Sequence, residues 1–263
     1  MGMFTRTPNR TTAQVAEDIQ GAAARTVTLI KGSGPAVSRT TVESSGGVDL
    51  AKKFDKAGIS LSKAGLDGIR AEAVMILDHS GSMHHGYTSG MVQQLVDRAL
   101  AFALQIDGDG RIPVIPFDSR LWPTVEVTLD NYAGVVDREI FRPQQMGGTY
   151  LAAALQVVLD MAKTTTAPLY LVIVTDDDPS DRPQVTQLLQ ELKRYPVFVK
   201  VLTLVKAPYW DRMDDLDAPG LIDNLDAKQV LDPAGISDLA FADIMVDEWR
   251  TWVHDANAAG ILV

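Results

Sequence analysis

The chain has 263 residues, 46% hydrophobic and 22% charged, which is enough for one large α/β domain plus an appendage. Its formal net charge of −10 repels phosphate backbones on average and no basic stripe offsets it, so direct nucleic-acid binding is disfavoured. With no cysteine there is no disulfide framework, thiolate metal site or cysteine nucleophile, and no apolar stretch reaches the roughly 18 residues of a membrane span.

Residues 1–68 are rich in Gly, Ser, Thr and Ala, with a short helical pattern over Thr12–Arg25, where Val15, Ile19 and Ala22 share a face. Gly32-Ser33-Gly34-Pro35 and Ser44-Ser45-Gly46-Gly47 interrupt this part, which reads as an arm or linker, partly disordered or loosely attached. Met1 to Arg10 lacks the apolar core of a signal peptide, so the cytoplasm is the expected location.

From Ala71 onward strand and helix patterns alternate. Ala73–Leu77 is continuously apolar, as in a parallel strand buried on both faces. A helix is predicted over Ser89–Gln105, with Val92, Leu95, Val96, Ala99 and Phe102 on one face, and a strand over Ile112–Phe117. In Trp122–Leu129, Val125 and Val127 alternate with Glu126 and Thr128, which suits an edge strand. Helices are expected over Asp130–Phe141, Tyr150–Ala162 and Arg182–Arg194, and strands over Leu169–Val174 and Val197–Val205. A short strand near Lys228–Leu231 and helical patterns across Ile236–Ala259 end the chain. The fold class is α/β: a doubly wound, mostly parallel central sheet with helices on both faces and one antiparallel edge strand.

Such sheets bind ligands beyond the carboxyl ends of their strands. After the first strand stands Asp78-His79-Ser80-Gly81-Ser82. In extended chain, positions 78, 80 and 82 project to one side, so a carboxylate and two hydroxyls converge, hard oxygen ligands of the kind Mg²⁺ accepts. The string alone has other readings: a helix cap, a serine nucleophile elbow without its Gly-x-Ser-x-Gly frame, or a phosphoaspartate site in which Ser80 stands where a second acid is usual. Two further segments bear on the choice, Met146-Gly147-Gly148-Thr149 before a helix and Thr175-Asp176 at the end of an apolar strand.

An Asp-x-Ser-x-Ser loop, a Gly-Gly-Thr loop and a strand-terminal Thr-Asp, in that order, resemble the von Willebrand factor A (VWA) family and its metal-ion-dependent adhesion site. The resemblance implies a Rossmann-like VWA domain over residues 69–263. It also implies a metal set of Asp78, Ser80 and Ser82 from the first loop, Thr149 from the second and Asp176 from the third. The family usually has Gly after that last acid, whereas Asp177 and Asp178 follow here, leaving open whether either joins the site. Gly58–Leu66, Thr128–Tyr132 and Asp232–Asp238 resemble the bacterial tellurium-resistance proteins of the TerF-like group. Lys31-Gly32 and Leu61-Ser62-Lys63 resemble the N-terminal signature of TerD-like proteins.

These resemblances imply a non-enzymatic, Mg²⁺-dependent interaction module of a tellurite-resistance or stress-response system, with Mn²⁺ or Ca²⁺ as alternative cations. Its partner is a protein supplying an Asp or Glu, for which a TerD-like protein is a candidate. The alternative is a metal-assisted hydrolase using the same cation, for which His84, His85, Asp177 and Asp178 are the only nearby bases. His84 and His85 are otherwise read as solvent-exposed, Trp249 and Trp252 as packing anchors, and Asp211, Asp214, Asp215 and Asp217 as a solvated loop without the glycine and closing Glu of an EF-hand.

Overall fold

Apolar runs that are buried on both sides need helices on both sides, and this requirement organises the domain. The structure, a computed structural model, describes residues 23–143, 145–216 and 220–263. Six strands, β1 (Glu72–Asp78), β2 (Arg111–Phe117), β3 (Val125–Thr128), β4 (Leu169–Thr175), β5 (Val197–Thr203) and β6 (Leu225–Gln229), form one sheet. Their order is β3-β2-β1-β4-β5-β6, parallel throughout except that β3 runs antiparallel to β2 at one edge. The expected α/β class and edge strand are therefore observed.

Strand β1 shows how pattern becomes packing. Ala73, Met75 and Leu77 enter one core with α1 (Arg39–Lys63), α3 (Met91–Ile106), α7 (Asp238–Val246) and α8 (Trp249–Ala258). Val74 and Ile76 enter a second core on the opposite face with α4 (Ala152–Thr164) and α5 (Arg182–Leu192). Side chains alternate between faces, so a strand sandwiched between helices must be apolar at every position. Trp249 and Trp252 are buried as expected, Trp249 edge-on to Tyr170 at 4.9 Å and Trp252 tilted on Phe198 at 5.8 Å.

Of the residues 1–68 read as an arm, the structure describes those from residue 23. The pattern over Thr12–Arg25 lies almost wholly outside the described residues, but from residue 23 the chain is attached at many points. The Arg25 guanidinium donates to the carbonyls of Lys163, Thr164 and Thr165 at the end of α4. Val27 and Leu29 then pair with the C-terminal residues, their N–H groups donating to Ile261 and Val263 carbonyls at 3.0 and 2.8 Å. Helix α1 follows, capped by Ser38, whose hydroxyl accepts the Thr41 N–H. It kinks at Gly47 (φ +76°) and buries Val42, Leu50, Phe54, Ala57 and Leu61 against α3 and α7. The kink falls in the breaker cluster Ser44-Ser45-Gly46-Gly47, yet the helix resumes beyond it.

Smaller corrections have local causes. The last strand lies at Leu225–Gln229 instead of 228–231, because Asp226 looks unlike a strand residue. Asp226 instead pairs with Lys200, its neighbour across β5–β6, both fully buried. Residues Pro208–Asp214 form α6, so Asp211 and Asp214 are helical and not in a loop, while Asp217 lies outside the described residues. The 130–141 segment ends in a turn of π-helix, Val136–Phe141, and His84–Thr88 is a short helix, α2, not foreseen. The closing helical stretch is divided at Asp247-Glu248, where Glu248 has φ +58°. No helix among the described residues is long and apolar enough to cross a membrane.

If α1 is part of the core, Phe54→Ala leaves a cavity and lowers unfolding free energy by about 3–5 kcal/mol. Urea denaturation measures this, and a loss below about 1 kcal/mol would mean that the helix is only loosely seated.

Candidate metal centre

Strands β1 and β4 lie side by side, with Leu77 opposite Val174, and the strand order reverses between them, β2 and β3 lying beyond β1 and β5 and β6 beyond β4. That switch point is where an open parallel sheet leaves a crevice. Asp78 and Thr175 end the two strands together, and the Thr175 hydroxyl donates to Asp78 Oδ2 at 2.6 Å. The other oxygen, Oδ1, accepts the Ser80 N–H at 2.7 Å, and the Asp78 carbonyl accepts the Tyr87 hydroxyl at 2.8 Å.

From there a line of hydrogen bonds crosses the crevice. Ser80 Oγ lies 3.0 Å from Ser82 Oγ, and Ser82 Oγ donates to Asp176 Oδ1 at 2.7 Å. Four of the five expected ligands, Asp78, Ser80, Ser82 and Asp176, are thus joined in sequence. Thr149 stands in the adjoining loop. That loop is held to the first by the Gly81 N–H donating to the Gly147 carbonyl at 2.8 Å. Thr149 is buried and its carbonyl accepts the Ser180 N–H at 2.7 Å, but its hydroxyl joins none of the bonds that link the other four.

The acids after Asp176 are engaged elsewhere. Asp178 Oδ1 accepts the Tyr209 N–H at the start of α6, and its Oδ2 accepts from the Arg182 guanidinium at 3.1 Å. Asp177 is exposed, its Oδ1 accepting the Asp178 N–H, while its carbonyl accepts from Trp210 Nε1 at 3.3 Å. Helix α6, invisible in the sequence pattern, therefore fixes the turn that directs Asp176 toward Ser82. His84 and His85 are both exposed, and the His84 ring stands edge-on to Phe141 at 5.6 Å.

Burial raises the Asp78 carboxyl to about 6, against the lowering effect of the Thr175 and Ser80 hydrogen bonds. Asp176 is also raised, first by burial and then by Asp177. Among the described residues neither carboxylate forms an ion pair with a Lys or Arg side chain. Two half-to-fully buried acids, lined by hydroxyls and a backbone N–H and by no Lys or Arg among the described residues, are a donor set that fits a hard divalent cation.

A second acidic group contrasts with this one. Carboxylate oxygens of Asp214, Asp226 and Glu248 lie within 4.8 Å of one another. Lys228 Nζ is 2.9 Å from Asp226 Oδ1 and 3.4 Å from Glu248 Oε1, and Lys200 pairs with Asp226 as well. Ammonium groups already occupy the position a cation would take there.

Thr175, Tyr87, His79 and Asp118 are residues of this centre that sequence reading did not single out. Thr175 stood in the quoted Thr-Asp pair, but its role depends on which strands are neighbours. Replacing it by Val leaves an oxygen of buried Asp78 without its donor, so Thr175→Val costs about 1–3 kcal/mol in chelator. Equilibrium unfolding in urea with EDTA checks this; an unchanged midpoint would show that the bond contributes nothing.

A Bacillus subtilis (strain 168) protein, described as uncharacterized protein YcbR, is 27% identical over 223 residues, 82% of this chain and 90% of that one. Among solved structures the chain is similar to the manganese-loaded TRAP protein of Plasmodium vivax, with 16% identity, 68% and 72% of the two chains covered and a TM-score of 0.46. It is also similar to the ArnB paralog VWA2 of Sulfolobus acidocaldarius, with 18% identity, coverages of 62% and 42% and a TM-score of 0.44. Residues 70–262 match the family model described as the VWA domain found in the TerF C terminus. The chain belongs to the TerF-like VWA family.

Proposed function

We propose that this domain is a protein-interaction module that holds Mg²⁺ through Asp78, Ser80, Ser82, Thr149 and Asp176 and takes a partner's Asp or Glu carboxylate at that cation. Mn²⁺ and Ca²⁺ are the alternative cations. The observation that carries this reading is the line Asp78–Ser80–Ser82–Asp176 at the switch point, with neither carboxylate paired to a Lys or Arg among the described residues. When bound, such a cation supplies a hard, incompletely neutralised centre at which an anionic oxygen displaces water. Asp78 and Asp176 carry all the negative charge of the set, and the three hydroxyls add none. Thr175 and the Ser80 N–H orient Asp78 from behind, leaving Ser82 at the exposed mouth.

The surroundings suit docking. Leu121, Tyr150, Val205 and Leu231 are exposed by 43%, 49%, 44% and 66%; Leu121, Val205 and Leu231 follow the carboxyl ends of β2, β5 and β6, and the Tyr150 N–H bonds to Asp118 at the end of β2. Such side chains give a partner apolar area to cover around its acid. We read the module as cleaving no bond: of the candidate bases, Asp177 and Asp178 accept from backbone N–H groups or Arg182, His84 stands against Phe141, and His85 is exposed. On the family's name we place it in a cytoplasmic tellurite-resistance or stress-response system, with a TerD-like protein as the candidate partner.

Thermal unfolding with EDTA or Mg²⁺ tests the metal. At a hundredfold excess over Kd, binding stabilises by about 2.7 kcal/mol, which for a domain of this size is a Tm increase of about 5–10 °C. Asp78→Asn keeps the shape and removes the buried charge, so its Tm in EDTA stays within about 3 °C of the wild type while the Mg²⁺ increase disappears. A wild type indifferent to Mg²⁺, Mn²⁺ and Ca²⁺ would sink the proposal.

A further inference from the structure

Three loops carry the five residues assigned to the metal, and a fourth touches two of those loops while supplying no ligand. This fourth loop leaves β2 at Asp118, a carboxylate with no exposed surface. Asp118 Oδ2 lies 3.4 Å from Nδ1 of His79, the equally buried residue between Asp78 and Ser80. The His79 N–H donates to the Phe117 carbonyl at 2.7 Å, so backbone and side chain both tie the first loop to the end of β2. Asp118 Oδ1 accepts the Arg120 N–H at 2.8 Å, which closes the turn.

The same turn reaches the threonine loop. The Asp118 carbonyl accepts the N–H of Tyr150, the residue after Thr149, at 3.3 Å, and Ser119 Oγ accepts the Gly148 N–H at 2.8 Å. The packing leaves no room for a side chain at 147, where a Cβ would stand 2.8 Å from Ser119 Oγ and 3.0 Å from Asp118 Cγ. Gly147 in turn accepts the Gly81 N–H. A closed circuit results, from the first loop to Gly147, to Asp118-Ser119 and back to His79.

We propose that Asp118 is a positioning residue of the metal centre, holding the Asp78–Ser82 loop and the Thr149 loop at the spacing one cation requires without touching that cation. The inference rests on the metal reading above. A carboxylate suits the position because both of its oxygens accept, Oδ2 facing His79 of the first loop and Oδ1 fixing, through the Arg120 N–H, the turn whose Asp118 carbonyl and Ser119 hydroxyl reach the threonine loop. Partners one step behind metal ligands typically change affinity by 10–100-fold when removed.

The test measures Mn²⁺ affinity by electron paramagnetic resonance well below the unfolding temperature, beside Tm in EDTA, for wild type, Asp118→Ala, Asp118→Asn and Ser119→Ala. Asp118→Ala is expected to weaken Mn²⁺ binding by about 10–100-fold and Ser119→Ala by several-fold, with Asp118→Asn recovering part of the loss. A merely structural Asp118 would lower Tm in EDTA and leave the affinity of the folded protein unchanged. If Asp118→Ala does not fold, Asp118→Asn and Ser119→Ala decide, and wild-type affinity in both overturns the inference while the metal reading stands. A wild type that does not bind Mn²⁺ overturns both.

Discussion

The hydrogen bond from Thr175 to Asp78 joins the ends of the two central strands, and the geometry of the crevice depends on it. It forms only because β1 and β4 are adjacent, parallel and in a register that brings residues 78 and 175 out of the sheet together. Adjacent parallel strands require crossover helices, and those helices bury both faces of the sheet. The apolar runs, the α/β class and the position of the acids are therefore one constraint seen at three scales. The carboxylate is held in a place from which water is largely excluded and to which no Lys or Arg side chain comes among the described residues.

What could be read in advance followed from short-range pattern. Val74 and Met75 read as buried because every position between them and Leu77 is apolar, and the Asp-x-Ser-x-Ser spacing placed three oxygens on one side. Helix α1 was hidden although Leu50, Phe54, Ala57 and Leu61 repeat at helical spacing, because Gly46-Gly47 reads as a stop and the kink there lets the helix continue. Strand β6 was displaced because Asp226 is acceptable in a strand only when Lys200 lies alongside. Asp118 and Thr175 act across 39 and 97 residues of chain, a relation that no local period encodes.

Two acidic groups in one molecule show how charge neutralisation separates a structural cluster from a ligand site. Around Asp226, Lys200 and Lys228 supply the positive charge, so the group ties β5 and β6 to the turn between α7 and α8. Breaking such a buried pair by removing one partner is costly, but the pair asks for nothing from solution. Around Asp78 the neighbours are hydroxyls, backbone N–H groups and another acid. The charge is left for something outside the chain to balance, which is the physical content of the metal reading.

The most direct measurement is anomalous diffraction from crystals soaked in Mn²⁺. The account predicts one strong peak in the crevice, about 2.0–2.3 Å from the Ser80 and Ser82 hydroxyl oxygens, with Thr149 and the two aspartates around it directly or through water. It predicts no peak at the Asp214–Asp226–Glu248 group, where Lys228 already sits. A crevice without anomalous density at saturating Mn²⁺, or a peak at the second acidic group alone, would contradict it.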